Sequence, residues 1–313
     1  MIDLFKVLSD RRPNVAEHIR DTAHQVDGEF HISKSTERFD YALDFWRCYY
    51  TDTAYVPVSP KIDEATELFL IEQLTLNLWD DTLIVFPTSG TIGNQTDDRG
   101  QDGQFKLVCH GYDSIEWGVD RIIKLYEYDE KDVMYCCELP NSIATFLFTI
   151  PAMVAGVHGH VAKFNPDKVD SKFNIIPMTP KMLEMSDGKV DFNNMTTMVG
   201  GDPVEKEHVD IWKNQGGGLF WHNYGFTECI MPLLVGRNSE WLDPHDDVQV
   251  RINDDGFLEV KSPGLFQGYL GFDRFEDDWF TTNDLFTTEI DEKTHLSKGY
   301  KFIKSVKSGV HHI

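Results

Sequence analysis

Asp81-Thr82-Leu83-Ile84-Val85-Phe86-Pro87 runs straight into Thr88-Ser89-Gly90-Thr91-Ile92-Gly93, and the join between the two decides the fold. An unbroken apolar run of strand length predicts a strand buried on both faces, the kind that parallel sheets use. The segment after it offers three hydroxyl donors. Its two glycines permit the positive φ by which successive backbone N–H groups line a hollow for an anion. No G-K-[ST] follows, so this is not a Walker loop, and no G-x-G-x-x-G points to a dinucleotide fold. On composition alone such a cluster is also an ordinary turn.

Working outward from that join, strands and helices alternate. Thr53 to Val58 predicts a strand and Ile62 to Trp79 a helix, with Leu68, Ile71, Leu74 and Leu78 at helical spacing. Ser114 to Tyr126 predicts a helix before the strand Val133 to Cys137. Ile143 to Val157, the longest apolar-leaning stretch, predicts a buried helix before a strand Val161 to Phe164, and Lys181 to Met185 a helix before the strand Met195 to Val199. Such alternation predicts an α/β domain with parallel-rich sheets. Beyond about residue 240 the period changes to two. Asp247 to Ile252 and Phe257 to Lys261 alternate around the turn Asn253-Asp254-Asp255-Gly256, which predicts a hairpin. Gly268 to Gly271 adds a short strand, and a small C-terminal antiparallel β-barrel subdomain is expected. The expected divisions are 1–238 for an α/β core, 239–298 for the β subdomain and 299–313 for a hinge remnant.

The 313 residues carry 52 acidic against 29 basic side chains, a net charge of −23. No basic stripe interrupts that excess, so nucleic acid and anionic membrane surfaces are not expected partners. Five cysteines, an odd number with no C-x-x-C pair, suit buried thiols in the cytoplasm. The N-terminus carries charges where a signal sequence needs an apolar run, and no stretch reaches the length of a membrane span. His158-Gly159-His160 has no third metal ligand near it in sequence and is read as structural.

Three further segments have the chemistry of a nucleotide site. Gly200-Gly201-Asp202-Pro203 follows a predicted strand, at the carboxyl edge where open parallel sheets bind ligands. His222-Asn223-Tyr224-Gly225-Phe226-Thr227-Glu228 brings an aromatic face, a hydroxyl and a carboxylate together, groups suited to base stacking and to Mg²⁺. In Trp279-Phe280-Thr281-Thr282-Asn283-Asp284 the carboxylate can accept from a ribose diol. Each segment also has a plainer reading, as a tight turn or a surface acid.

Taken in order, these segments resemble the adenylate-forming superfamily, which includes acyl-CoA synthetases, luciferases and peptide-synthetase adenylation domains. The T-S-G-[ST]-T-G-x-P-K loop is similar to Thr88 to Thr96, G-G-A-P to Gly200 to Pro203, Y-G-x-T-E to Tyr224 to Glu228, and [ST]-G-D to Thr282 to Asp284. His110, Ile176 to Leu183 and Gly256 to Gly271 match intervening family segments. The tail Gly299 to Val310 resembles the hinge G-R-x-D-x-x-I-x-S-G-G-V, in the manner of o-succinylbenzoate-CoA ligases. The resemblance covers roughly residues 50 to 313.

It implies that Thr88, Ser89 and Thr91 with Gly90 and Gly93 meet ATP phosphates, and that Gly200, Gly201, Asp202, Asn223, Tyr224, Gly225 and Thr227 surround the nucleotide. Glu228 would bind Mg²⁺, Asp284 the ribose of ATP or AMP, and His110 would sit near the acyl pocket. A small-molecule carboxylate would become an acyl-adenylate, to be passed to CoA or another thiol acceptor. The sequence departs from the pattern where the family carries charge. Thr96 replaces the loop lysine, Gln95 its proline, Tyr300 the hinge arginine and Phe302 the hinge aspartate, while Asp97 and Asp98 add negative charge. The N-terminus is expected to be shortened and the C-terminal lid domain absent. Two expectations stand side by side: a slow acid-thiol ligase that takes a lid or carrier protein in trans, or an impaired nucleotide or acyl-adenylate binder. A vestigial scaffold is a further alternative.

Overall fold

In the computed structural model, which describes residues 3–35, 38–88, 106–137, 142–290 and 297–306, the chain forms two units interleaved in sequence. One comprises Met1–Lys163, Thr227–Met231 and Gly264–Phe275; the other comprises Phe164–Phe226, Pro232–Pro263 and Glu276–Ile313.

In chain order the elements begin with α1 (Leu4–Arg11), α2 (Pro13–Thr22), β1 (Phe30–Ser33), α3 (Arg38–Thr51), β2 (Ala54–Pro57) and α4 (Glu64–Asn77). There follow β3 (Thr82–Pro87), β4 (Leu107–Gly111), α5 (Tyr112–Tyr126), β5 (Val133–Cys136), a π-helical turn (Thr145–Thr149), α6 (Ile150–Ala155) and β6 (His158–Val161). Next come β7 (Ile175–Met178), α7 (Pro180–Met185), β8 (Thr196–Gly200), α8 (Lys206–Asn214), β9 (Leu219–Tyr224), β10 (Leu234–Arg237) and β11 (Asp243–Pro244). The last are β12 (Gln249–Ile252), β13 (Phe257–Lys261), β14 (Gly268–Tyr269), β15 (Phe280–Ile290) and β16 (Ser297–Ser305).

Local chemistry sets several ends. Asp63 caps α4 by accepting the Thr66 N–H at 2.9 Å, and Thr179 caps α7 through the Met182 N–H at 3.3 Å. Gly156, at φ +85°, stops α6.

In the first unit the sheet order is β1-β2-β3-β4-β14. Strands β1, β2 and β3 run parallel, β4 turns antiparallel to β3, and β5 and β6 form a parallel pair. Helix α4 lays Leu70 and Leu74 on Val56, Val58, Val85, Leu107, Cys109 and Leu270, burying one apolar core. A second core is aromatic: Phe146 meets Phe45 at 4.9 Å and Phe86 at 5.2 Å, both edge to face.

In the second unit β7, β8 and β9 run parallel, and β10 and β11 extend them antiparallel. A separate antiparallel sheet has the order β12-β13-β15-β16. Its first hairpin turns at Asn253 to Gly256, where the Asn253 side chain accepts the N–H groups of Asp255 and Phe257.

Two strands differ from the sequence-based expectation. The strand expected at Val161 to Phe164 is β6, three residues earlier, because Gly156 ends α6 and His158 pairs with Val133 at once. Gly268–Tyr269, expected in the C-terminal β subdomain, instead pairs with β4. Flanking backbone bonds from Gln267 to Cys109 and from Leu270 to Leu107, each 2.8 Å, hold it there and bury Leu270 under α4. No described helix is long and apolar enough to cross a membrane.

Candidate functional site

The first unit carries one group of the expected residues. Thr88 follows β3, and its N–H donates to the Lys106 carbonyl at 3.0 Å, just before β4. His110, on β4, is fully buried, and its Nε2–H donates to the Thr227 carbonyl at 2.8 Å. That bond fixes the tautomer, leaving Nδ1 as a buried acceptor without a partner. Burial pushes the imidazole down to about 4 against the small opposing pull of that bond, so His110 is neutral at ordinary pH.

Glu228 follows immediately. Its Oε1 accepts the Tyr269 hydroxyl at 2.7 Å, whereas Oε2 accepts no hydrogen bond among the described residues. Burial and the Glu228 charge together push the Tyr269 phenol well above its ordinary value, so it stays a donor. The carboxylate is therefore oriented through one oxygen and open at the other, which fits a Mg²⁺ ligand. Cys109, beside His110, has its thiol pushed up to about 12 by burial and is no nucleophile.

The second unit carries the other group. Tyr224, at the end of β9, donates its hydroxyl to Asp284 Oδ2 on β15 at 2.6 Å, although 60 residues separate them. Ser305, on β16, donates to Asp284 Oδ1 at 2.5 Å. Each carboxylate oxygen keeps a second lone pair, enough for the two hydroxyls of a ribose. Aromatic rings wall this side: Tyr224 lies 4.8 Å from Phe286, and Phe302 lies 5.7 Å from Phe286.

Gly200 on β8 is held against β9, and a Cβ there would fall 2.5 Å from the Asn223 carbonyl. Gly201 takes φ +85°, and a Cβ there would meet nothing within 4 Å. Asp202 and Gly225 are exposed and Asn223 is buried. His222, also on β9, is pushed down to about 4 by burial.

Ser89, Gly90, Thr91 and Gly93 lie outside the described residues, as do Gln95, Thr96, Asp97 and Asp98. Tyr300 and Phe302 are strand residues of β16. Tyr300 exchanges both backbone hydrogen bonds with Leu242, and Phe302 stands opposite Phe286 in the aromatic wall. His158 and His160 are exposed on β6, and no cluster of three metal-ligating side chains occurs among the described residues. Three residues of these groups escaped the sequence: Lys106, Tyr269 and Ser305. Tyr269 stands in the Gly-Tyr pair of one family segment and Ser305 within the hinge-like tail, which were usable signals; Lys106 had none.

No protein-family model matches the chain. It is 24% identical over 250 residues to a 2-succinylbenzoate–CoA ligase of Listeria innocua, covering 71% of this chain and 50% of that protein. A long-chain-fatty-acid–CoA ligase of Yersinia pestis is 29% identical over 125 residues, 33% of this chain and 22% of its own length. The chain thus spans about half the length of the 2-succinylbenzoate–CoA ligase that it matches.

Among solved structures, o-succinylbenzoate CoA synthetase from Bacillus subtilis in complex with the acyl-adenylate intermediate OSB-AMP superposes with TM-score 0.76 at 13% identity, covering 98% of this chain and 100% of that one. The inhibitor-bound N-terminal domain of FACL13 from Mycobacterium tuberculosis gives 0.73 at 15% identity, over 98% and 100%. In sequence and in fold, the chain resembles the N-terminal core of the adenylate-forming superfamily, as the order of its motifs implies.

Proposed function

We propose that this chain binds ATP with Mg²⁺ and activates a small carboxylic acid as its acyl-adenylate, for transfer to CoA or another thiol. The observation that carries this reading is the hydrogen bond between Tyr224 and Asp284, which joins two separate segments that the sequence leads one to expect at a nucleotide. The likeness to CoA ligases along the chain supports it.

In this reading the substrate carboxylate attacks the α-phosphorus of ATP, forming a P–O bond as the bond to pyrophosphate breaks. Thr88, with Ser89 and Thr91, donates hydroxyls to the phosphates, and Gly90 and Gly93 let the backbone approach them. Gly200, Gly201, Asp202, Asn223, Gly225 and Thr227 surround the nucleotide, and Tyr224 packs beside it. Asp284, held in plane by the Tyr224 and Ser305 hydroxyls, accepts from the ribose diol. Mg²⁺ would supply charge neutralisation at the phosphates, and Glu228, oriented by the Tyr269 hydroxyl, would hold it. His110, neutral and with Nδ1 unpartnered, lines the acyl side as a hydrogen-bond acceptor. The five buried thiols favour a cytoplasmic setting.

Turnover is expected to be slow, because Thr96 and Tyr300 stand where the family carries cations. Those same residues favour a second reading, a nucleotide or acyl-adenylate binder with little turnover. Pyrophosphate exchange over a carboxylate panel, alone and with a separate lid or carrier protein, separates the two. Exchange above background supports activation; calorimetric ATP binding that Asp284→Ala abolishes, without exchange, supports the binder. No binding at millimolar ATP refutes both and leaves a scaffold.

A further inference from the structure

The phosphate loop of this chain is short of positive charge. From Thr88 to Asp98 there is no Lys or Arg, and between Thr88 and Lys106 only Arg99 is basic. A triphosphate brought to a carboxylate in a chain of net charge −23 meets like charge, and phosphoryl transfer runs on cations that offset it.

One cation of the first unit is already in place. The Thr88 N–H bond to the Lys106 carbonyl fixes Lys106 beside the loop's first residue. The Lys106 side chain is exposed, and its Nζ lies 4.9 Å from the centroid of the Tyr269 ring. The hydroxyl of that same ring holds Glu228. A single aromatic side chain therefore carries an ammonium on its face and the expected metal carboxylate at its tip. Among the described residues the ammonium has no carboxylate partner. A ring face attracts an ammonium without using its N–H donors, so all three remain for phosphate oxygens.

We propose that Lys106 is the phosphate-site cation of this chain, donating to the terminal phosphates of ATP in place of the lysine missing at Thr96. This rests on the nucleotide reading above and deepens it. Lysine suits the task as a compact point charge on a long stem.

Calorimetry with ATP·Mg²⁺ and with AMP tests it on the full chain. Lys106→Met is expected to weaken ATP about tenfold, the worth of one charge-assisted hydrogen bond, while AMP changes less than about twofold. Lys106→Arg restores most of the ATP affinity, and Arg99→Met leaves both ligands unchanged. Matching circular dichroism and melting temperatures certify that the variants fold. The proposal is overturned if Lys106→Met binds ATP as well as wild type, if it loses ATP and AMP equally, or if the ATP preference disappears in Arg99→Met instead. A wild-type chain that binds neither nucleotide overturns this proposal and the function beneath it together. Normal AMP binding with an unaltered ATP-to-AMP ratio in Lys106→Met overturns this proposal alone.

Discussion

Two carboxylates, one in each unit, are held by the same kind of donor and end in different states. Glu228 accepts one tyrosine hydroxyl, from Tyr269 at 2.7 Å, and its other oxygen accepts no hydrogen bond among the described residues. Asp284 also accepts a tyrosine hydroxyl, from Tyr224 at 2.6 Å, but Ser305 occupies its other oxygen and aromatic rings stand beside it. One donor orients a carboxylate and leaves it hungry for a cation. Two donors lock its plane and suit it to a neutral diol. On the proposed reading, the number of hydroxyls, rather than the acid itself, separates the two roles.

The largest effect expected from this contrast is on turnover. Glu228→Gln keeps a partner for Tyr269 but removes the charge, and pyrophosphate exchange should fall by about two to three orders of magnitude, with AMP affinity nearly unchanged. Equal losses in exchange and AMP affinity would break the comparison. Asp284→Ala strands two hydroxyls and removes the diol acceptor, so AMP affinity measured by calorimetry should fall by about thirtyfold.

Next in size is an acid response shared by both units. His110 and His222 are pushed down to about 4 by burial, below the value of an unfolded histidine. The unfolded chain therefore takes up protons first as pH falls. The stability lost through these two imidazoles is nil above about pH 6.5, grows progressively down to about pH 4, and levels off below that. Urea unfolding at pH 7 and pH 5 should differ by about 2 kcal/mol for each of these imidazoles, and His222→Asn should remove its share of the difference. A difference unchanged by His222→Asn would show that this imidazole takes up its proton as readily in the folded protein as in the unfolded chain.

The smallest effects sharpen the contrast most. Tyr224→Phe should weaken AMP by only about threefold, since Ser305 still holds Asp284. Tyr269→Phe should leave AMP untouched and raise the Mg²⁺ concentration needed for half-maximal exchange by about threefold.

What the sequence could show was local. The alternation at Gln249–Ile252 and Phe257–Lys261 with its Asn-Asp-Asp-Gly turn is a short-range signal, and the hairpin follows from it. The run before Thr88 is a buried strand because no polar residue interrupts Leu83 to Phe86. Pairings across long separations were invisible. Nothing in the spacing says that Tyr269 meets Glu228, 41 residues away, or that Gly268 pairs with Cys109. Phe302 shows the same limit from the other side. In sequence it is a lost aspartate; in the fold it faces Phe286 and contributes to an apolar wall. Substitution of a charge reads as subtraction until its neighbours are known.

The bond from Ser305 to Asp284, with the Val306 N–H bonded to the Asn283 carbonyl at 2.7 Å, fastens the end of β16 to the very carboxylate proposed to hold the sugar. A tug on one is felt by the other. On the proposed reading, a fluorophore attached at Val306 should change its emission when adenosine phosphates bind, which would make this strand end a handle for an optical sensor.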